Sequence, residues 1–149
     1  MIMKAFILLS ACSCFCFMTA CGQKLKDKDV PAAAKSTLSE KFPQAQKVFW
    51  EKENGNYEAN WGGKSGEDNS VIFSPQGQLL ETEKAISYQD LPAQAKDYLA
   101  SQYKTHSAKE VIQDTKADGK VSYEVEVKKK TLVFDGQGNF IKAEEGEND

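Results

Sequence analysis

Cysteine is absent from the body of this chain. All four cysteines of the 149-residue sequence lie at or before position 21, and Cys12, Cys14 and Cys16 fall inside an apolar run. A thiol in such a run behaves as a small hydrophobic group. The sequence therefore argues against a disulfide framework or a cysteine-ligated zinc site in residues 22–149.

Histidine and clustered basic residues are also scarce. The single histidine, His106, stands between Thr105 and Ser107, which predicts a solvated loop residue rather than a member of a catalytic triad. The formal net charge is −3, and the lysines are interspersed with carboxylates instead of forming a basic stripe. We therefore expect no nucleic-acid partner.

Two segments resemble ligand-binding loops only in part. Gly63-Lys64-Ser65 matches the end of a phosphate-binding loop, but Glu58 stands where that motif needs its first glycine. Residues 135–139 place oxygen donors at alternate positions, but Phe140 stands where a calcium loop needs glycine. We expect turns at both places, and the sequence implies no metal and no cofactor.

The N-terminal segment is typical of an export signal. Lys4 precedes an apolar run over residues 5–18, which is shorter than the roughly 20 residues that span a bilayer. Met18-Thr19-Ala20-Cys21 resembles a bacterial lipobox, which predicts a signal peptide at 1–20 and lipidation of Cys21. A conventional cleaved signal or an uncleaved anchor is the alternative. The polar, Lys- and Asp-rich residues 21–29 are expected to form a flexible, lipid-anchored tether.

The body of the chain contains an internal repeat. Residues 30–42 are echoed by residues 91–103, and residues 72–80 by residues 133–141, each 61 positions downstream. A fixed period with matching sequence patterns at both ends of the repeat indicates one supersecondary unit used twice. We place the domain at 30–143, with repeats at about 30–85 and 90–143, followed by an acidic tail at 144–149.

Each repeat predicts one helix followed by four antiparallel strands. Apolar residues first recur every four positions and then alternate with polar residues, and Asn54-Gly55 and Asp118-Gly119 mark hairpin turns. The predicted fold class is α+β, with about eight strands and two helices on one face of the sheet. The helical stripes consist of Val30, Ala34, Leu38 and Phe42 in the first repeat and of Leu91, Ala95, Leu99 and Tyr103 in the second.

This arrangement resembles the PepSY-like, beta-lactamase-inhibitor-like exported proteins, which are built as a tandem duplication. The resemblance covers about residues 30–143 and includes the Phe73-x-x-x-Gly77 and Phe134-x-x-x-Gly138 hairpins. It implies an exported protein that binds or inhibits other proteins, including peptidases. It carries over no catalytic residues.

The helix-free face of the sheet and the Gly-rich segment 62–69 are the candidate partner-binding surface. The second repeat lacks an equivalent of this segment, and loops on a rigid scaffold commonly carry binding. We expect a non-catalytic exported lipoprotein that binds a protein or peptide partner and contacts the membrane through the lipid on Cys21. A structural or envelope-assembly lipoprotein is the alternative, and a hydrolase is less favoured. The candidate partner-binding residues are Phe49, Trp61, Lys64, Glu67 and Asp68. The favoured alternative for the aromatic residues places Trp50 and Trp61 in the core and Phe49 at a sheet edge.

Overall fold

The structure is a computed structural model and describes residues 23–145. The expected signal peptide at 1–20, the expected lipidation site Cys21 and residues 146–149 lie outside the described residues. Within the described part of the chain, no helix is long and apolar enough to cross a membrane.

Within residues 23–145, one antiparallel sheet of nine strands forms the framework, and its strands lie side by side in chain order. Each strand therefore pairs with its neighbours in sequence, which requires only short connections or one intervening helix. The strands are β1 (Gln23–Leu25), β2 (Phe49–Glu53), β3 (Asn56–Trp61), β4 (Asn69–Phe73), β5 (Leu79–Ala85), β6 (Glu110–Lys116), β7 (Val121–Val127), β8 (Lys130–Asp135) and β9 (Phe140–Glu145).

Two helices interrupt the order of strands. Helix α1 (Ala32–Lys41) lies between β1 and β2, and α2 (Ala93–Tyr98) lies between β5 and β6 and continues as a π-helical turn over Leu99–Tyr103. Each helix follows a proline, whose missing N–H costs nothing at a helix start. Short 3-10 helices occupy Asp27–Asp29 and Tyr88–Asp90.

Both helices pack on the same face of the sheet. Leu38 of α1 joins a cluster with Trp50, and Leu99 of α2 joins a cluster with Val125. The strand registers place Trp50 and Val125 on one face, because residues directly opposite each other in paired strands share a face. The opposite, helix-free face is called the open face below.

The hairpin turns occur where the sequence predicts them. Asn54 and Gly55 connect β2 and β3 with φ of 50° and 82°, and Gly119 has φ of 82° between β6 and β7. Asp135 Oδ1 accepts hydrogen bonds from the backbone N–H groups of Gln137 and Asn139. The segment that partly resembles a calcium loop is therefore a side-chain-capped turn.

The structure corrects three expectations at the ends of the domain. The sheet has nine strands rather than about eight, because Gln23–Leu25 pairs with β2. Residues 23–29, expected to be a flexible tether, instead form β1 and the first 3-10 helix, where Lys35 Nζ lies 2.9 Å from Asp27 Oδ2. Glu144 and Glu145, expected in an acidic tail, belong to β9 and pair with β8.

Candidate functional site

A row of polar residues crosses five strands on the open face. The registers place Asn60 opposite Ser70, Ser70 opposite Glu83, Glu83 opposite Asp114, and Asp114 opposite Ser122. Directly opposed side chains in antiparallel strands have Cβ atoms about 5 Å apart. The row therefore brings two carboxyl groups together, one on β5 and one on β6.

Three of these five polar residues are buried and two are half-buried, although no helix covers them. Asn60 and Ser70 are each 4% exposed, and Asp114 is 5% exposed. Ser70 Oγ donates to Glu83 Oε2 at 2.9 Å, and Ser122 Oγ donates to Asp114 Oδ2 at 3.4 Å. Each carboxyl group thus has a neutral hydroxyl partner from the adjacent strand rather than a cation.

Burial changes the protonation of both carboxyl groups. Desolvation, reinforced by neighbouring carboxylates, raises the pKa of Glu83 to about 7 and that of Asp114 to about 8. The hydroxyl groups of Ser70 and Ser122 act in the opposite direction but do not reverse the shift. Desolvation also raises the pKa of Glu58 and of Glu124 on the same face.

Glu81 completes the acidic group. The carboxylate oxygens of Glu81, Glu83 and Asp114 lie within 4.8 Å of one another, a spacing at which oxygen ligands could meet on a hard cation. Lys116 Nζ already binds both oxygens of Glu81, at 3.0 and 3.1 Å. Glu81 therefore has a cationic partner, whereas the hydroxyl bonds of Glu83 and Asp114 supply no compensating charge.

A cleft of about 240 Å³ lies beside this row, under the segment between β3 and β4. Asn60, Ser70 and Glu83 of the row contribute to its lining. The other lining residues are mainly carboxylates with one lysine: Glu51, Glu58, Glu67, Lys84, Ala85, Glu110 and Ile112. The cleft is accordingly anionic at neutral pH. It lies between the Gly-rich segment and the sheet.

The Gly-rich segment is packed against the open face. A Cβ placed on Gly66 would lie 3.0 Å from Cε1 of Phe49, so this glycine lets the chain pass directly against the aromatic ring. The backbone carbonyl of Asp68 accepts a hydrogen bond from the N–H of Ala85 at 2.8 Å. The segment is therefore connected to both β2 and β5.

The structure brings together some of the residues predicted for partner binding. Phe49 is half-buried on the open face, where Lys24 Nζ lies 5.2 Å from its ring centroid. Glu67 is exposed and lines the cleft. Lys64 and Asp68 are exposed in the same segment but are not among the residues that line the cleft.

The prediction for Trp61 is wrong. Trp61 is 7% exposed and lies in the core on the helix side, with its ring centroid 5.7 Å from that of Phe42. Its position follows from the period of two along β3, because Trp61 points to the same side as the fully buried Ala59. Trp61 therefore supports the core beneath the Gly-rich segment and is not available to a partner.

The sequence interpretation missed the buried acids. The predicted site residues include no carboxylate from the strands, whereas Glu81 is 8% exposed and the opposed pair Glu83 and Asp114 has raised pKa values. The alternation of Glu81 and Glu83 along β5 was a usable signal for their shared face. Asp114 reaches Glu81 and Glu83 only through the register between β5 and β6, and neither strand's sequence alone predicts that register.

The model of one protein family matches almost the whole described chain. It carries the description "Putative beta-lactamase-inhibitor-like, PepSY-like" and matches residues 18–80 and 62–142. No curated protein matches the chain at a significant level.

Solved structures from Bacteroides species share the fold. A structure described as "putative periplasmic proteins" from Bacteroides eggerthii has a TM-score of 0.67 and 17% identity, covering 78% of this chain and 88% of that one. A BLIP-like protein from Bacteroides fragilis has a TM-score of 0.61 and 22% identity over 80% and 89% of the two chains. A DUF2874 family protein from Bacteroides uniformis has a TM-score of 0.64 and 22% identity over 77% and 88%. The two matches to the family model, which together span residues 18–142, show that this chain belongs to the PepSY-like family.

Proposed function

We propose that this protein is an exported, non-catalytic binding protein that holds a protein or peptide partner on its open face. The observation that carries the proposal is the anionic cleft between the Gly-rich segment and the sheet, beside the directly opposed acids Glu83 and Asp114. Both helices lie on the other face, so a partner can approach the cleft without displacing either of them.

The charges of the cleft favour a partner with a basic segment. Glu58 and Glu83 are desolvated carboxyl groups whose raised pKa values reflect burial with too little compensating positive charge. A lysine or arginine side chain of a partner would place a cation within a few ångströms of them and offset that cost. Lys84 is the one basic residue in the lining, so the cleft retains a surplus of acids.

The cleft suits binding better than catalysis. Its lining contains carboxylate, amide, hydroxyl, ammonium and apolar groups, but no imidazole or thiol to act as a nucleophile or to activate one. His106 is exposed in the segment after α2 and is not among the lining residues. A raised carboxyl pKa is also a normal consequence of opposing two acids across a sheet.

The finer architecture supports a duplicated origin for this surface. We infer two equivalent units, because α1 is followed by β2–β5 and α2 by β6–β9. Gly77 and Gly138, 61 positions apart, each lie against the helix of their own unit with φ near 80°. Glu83 comes from the end of the first unit and Asp114 from the start of the second, so the acidic pair lies where the two units meet.

Export and lipid anchoring form part of the proposal. The lipobox-like segment ending at Cys21 supports them, and a fold neighbour from Bacteroides eggerthii is described as periplasmic. Only Gly22 separates Cys21 from Gln23, the first residue of β1. Since one residue spans at most about 3.6 Å, a lipid on Cys21 would hold the β1 edge of the sheet close to the membrane surface.

Affinity capture with carboxylate-to-amide variants tests the binding function. The chain carrying Cys21→Ser is immobilised and exposed to solubilised cell envelope, beside chains that also carry Glu58→Gln with Glu83→Gln, or Glu40→Gln on the exposed side of α1. We expect a partner retained by the parent and by the Glu40 variant, released by moderate salt, and lost from the cleft variant. Equal retention on all three chains, or no specific retention on any, would instead favour a structural envelope lipoprotein.

A further inference from the structure

The two edges of the sheet are unequal. At one edge β1 contributes three residues, whereas at the other β9 contributes six and, among the described residues 23–145, pairs only with β8. Phe140 and Ile141 at the start of β9 are the large hydrophobic residues that the described part of the chain leaves exposed, at 38% and 56%. A six-residue edge strand presents unpaired backbone groups that can accept another strand.

In the first unit, the strand equivalent to β9 pairs with another strand on its outer side. β5 is the equivalent of β9, and both contain a bulge at the same point, which leaves Leu80 and Ile141 without a partner in the preceding strand. On its outer side β5 takes β6 in antiparallel pairing, and the carbonyl of Leu80 accepts the N–H of Ala117 at 2.8 Å. Ile141 is 61 residues after Leu80, so its backbone carbonyl is expected to point away from β8, toward the free side of β9. The backbone groups of Ala143, two residues further on, are expected to point the same way.

We propose that β9 pairs antiparallel with β9 of a second copy of this chain, with Ala143 of one copy opposite Ala143 of the other. The sheet would then continue across a two-fold axis, with the helices of both copies on the same side. Such an interface is self-complementary and closed, because it uses the β9 edge of both copies and leaves only the three-residue β1 edges.

The charges on β9 select this register. Lys142 and Glu144 lie two residues apart on the open-face side of the strand. With Ala143 at the centre, Lys142 of each copy lies opposite Glu144 of the other, which gives two cross-strand ion pairs. A shift of the centre by one residue in either direction opposes Lys142 to itself or Glu144 to itself. The pattern of charge therefore favours one pairing with a second copy and disfavours its neighbours.

A pairing confined to one short strand is expected to be weak. It buries less surface than a stable dimer interface of standard size, so association should depend on concentration. Within one chain, Lys142 already contacts Glu144. Substitutions must therefore separate the contact within a chain from the contact between chains.

Sedimentation equilibrium of charge variants distinguishes the contact within one chain from the contact between two chains. The full chain with Cys21→Ser is measured over a concentration series, beside Lys142→Glu, Glu144→Lys, an equimolar mixture of those two, and Lys41→Glu on the exposed side of α1 as the control. We expect the parent and the control to dimerise and each β9 variant to bind itself at least about tenfold more weakly. The mixture should regain dimers, because each altered side chain then faces the opposite charge on the other variant, although neither chain retains its internal pair.

A backbone variant provides an independent measurement. Ala143→Pro removes one N–H directed outward from an edge strand, a position at which proline is tolerated. We expect an unchanged circular dichroism spectrum and loss of the dimer. A monomeric parent throughout the series, a mixture that stays monomeric, or dimers that persist in the proline variant would overturn the proposal. Preferential pairing of β9 with a strand from a different protein would overturn it as well.

Discussion

Glu83 on β5 lies directly opposite Asp114 on β6, so two acids face each other across this pair of strands. Each accepts a hydrogen bond from a serine hydroxyl, from Ser70 or from Ser122, but neither hydroxyl supplies positive charge. When both carboxyl groups are ionised, their repulsion and desolvation therefore lower the stability of the fold. This arrangement is consistent with the proposal that a partner supplies the positive charge that would stabilise the two acids.

The first prediction concerns the pH dependence of stability. In the folded state the pKa of Glu83 is about 7 and that of Asp114 about 8, both above their ordinary values of 4.5 and 3.8. The folded chain therefore binds more protons than the unfolded chain, and its free energy of unfolding should fall as the pH rises from about 4 to about 8. We expect a loss of several kcal/mol, measured by urea unfolding at a series of pH values.

Neutral variants provide the control for this dependence. Glu83→Gln with Asp114→Asn should flatten the decrease in stability with pH, whereas Glu67→Gln on the exposed segment should leave it in place. A stability that rises with pH over this range in the parent chain would contradict the burial of uncompensated acids.

The second prediction concerns the contact of each helix with its hairpin. Gly77 has φ of 77°, and a Cβ there would lie 2.6 Å from the backbone carbon of Ala33 in α1. Gly55 has a similar φ of 82°, but nothing lies within 4 Å of its added Cβ. Both Gly→Ala substitutions strain the backbone, but only Gly77→Ala also displaces a helix. We expect Gly77→Ala to lower the free energy of unfolding by about 2 kcal/mol more than Gly55→Ala.

Thermal and urea unfolding of the two glycine variants measures this difference. Gly138→Ala should behave like Gly77→Ala, because its Cβ would lie 2.9 Å from the backbone nitrogen of Ala95 in α2. Equal losses in Gly55→Ala and Gly77→Ala would show that the helix can move away without cost.

The local elements were predictable because their signals are local. The spacing of Ala34 and Leu38 predicts the buried side of α1, and Asn54-Gly55 predicts a hairpin turn by its tolerance of positive φ. The sequence does not predict β1, because Gln23–Leu25 has only three residues, two of them polar, and is too short to show an alternation. Its pairing with β2 arises only from tertiary context.

The candidate site was less accessible to sequence reasoning than the fold. The open face and the position of Phe49 on it follow from alternation along single strands, and the same alternation favours the core position of Trp61 over a role in partner binding. The acidic pair depends on the register between β5 and β6, and a change of one residue would send Asp114 to the helix side. That register is set by packing across the whole sheet rather than by any short motif.

The third prediction concerns the membrane anchor. Cys21→Ser should leave the protein without acyl chains, each buried CH₂ of which contributes about 0.8 kcal/mol to membrane retention. We expect the variant to leave the membrane fraction, and intact-mass measurement of the parent to show the lipid. A parent chain whose mass includes no lipid would contradict the anchor while leaving the open face a candidate for binding.

The fourth prediction concerns Phe49 and Glu67, at the two ends of the proposed partner-binding surface. Phe49 lies on the open face between Lys24 and Gly66, where its ring can serve as an aromatic anchor, and Glu67 stands at the exposed rim of the cleft. Aromatic anchors generally contribute more binding free energy than rim charges, whereas rim charges accelerate the encounter. We expect Phe49→Ala to weaken binding of a captured partner by about 2 kcal/mol or more, mainly through faster dissociation.

Rim variants should change the kinetics of binding in a different way. Glu67→Ala and Asp68→Ala should slow association, with an effect that shrinks as salt is added, because exposed charges steer a basic partner over distances that salt screens. Surface plasmon resonance at two salt concentrations separates the rates, and Glu40→Ala on α1 is the matched control, since it removes the same charge from the helix side. Circular dichroism must first show that the Phe49 variant remains folded, because its ring also packs against Gly66. Unchanged rates in all three surface variants would exclude this face as the binding site and direct attention to the helix side or to β9.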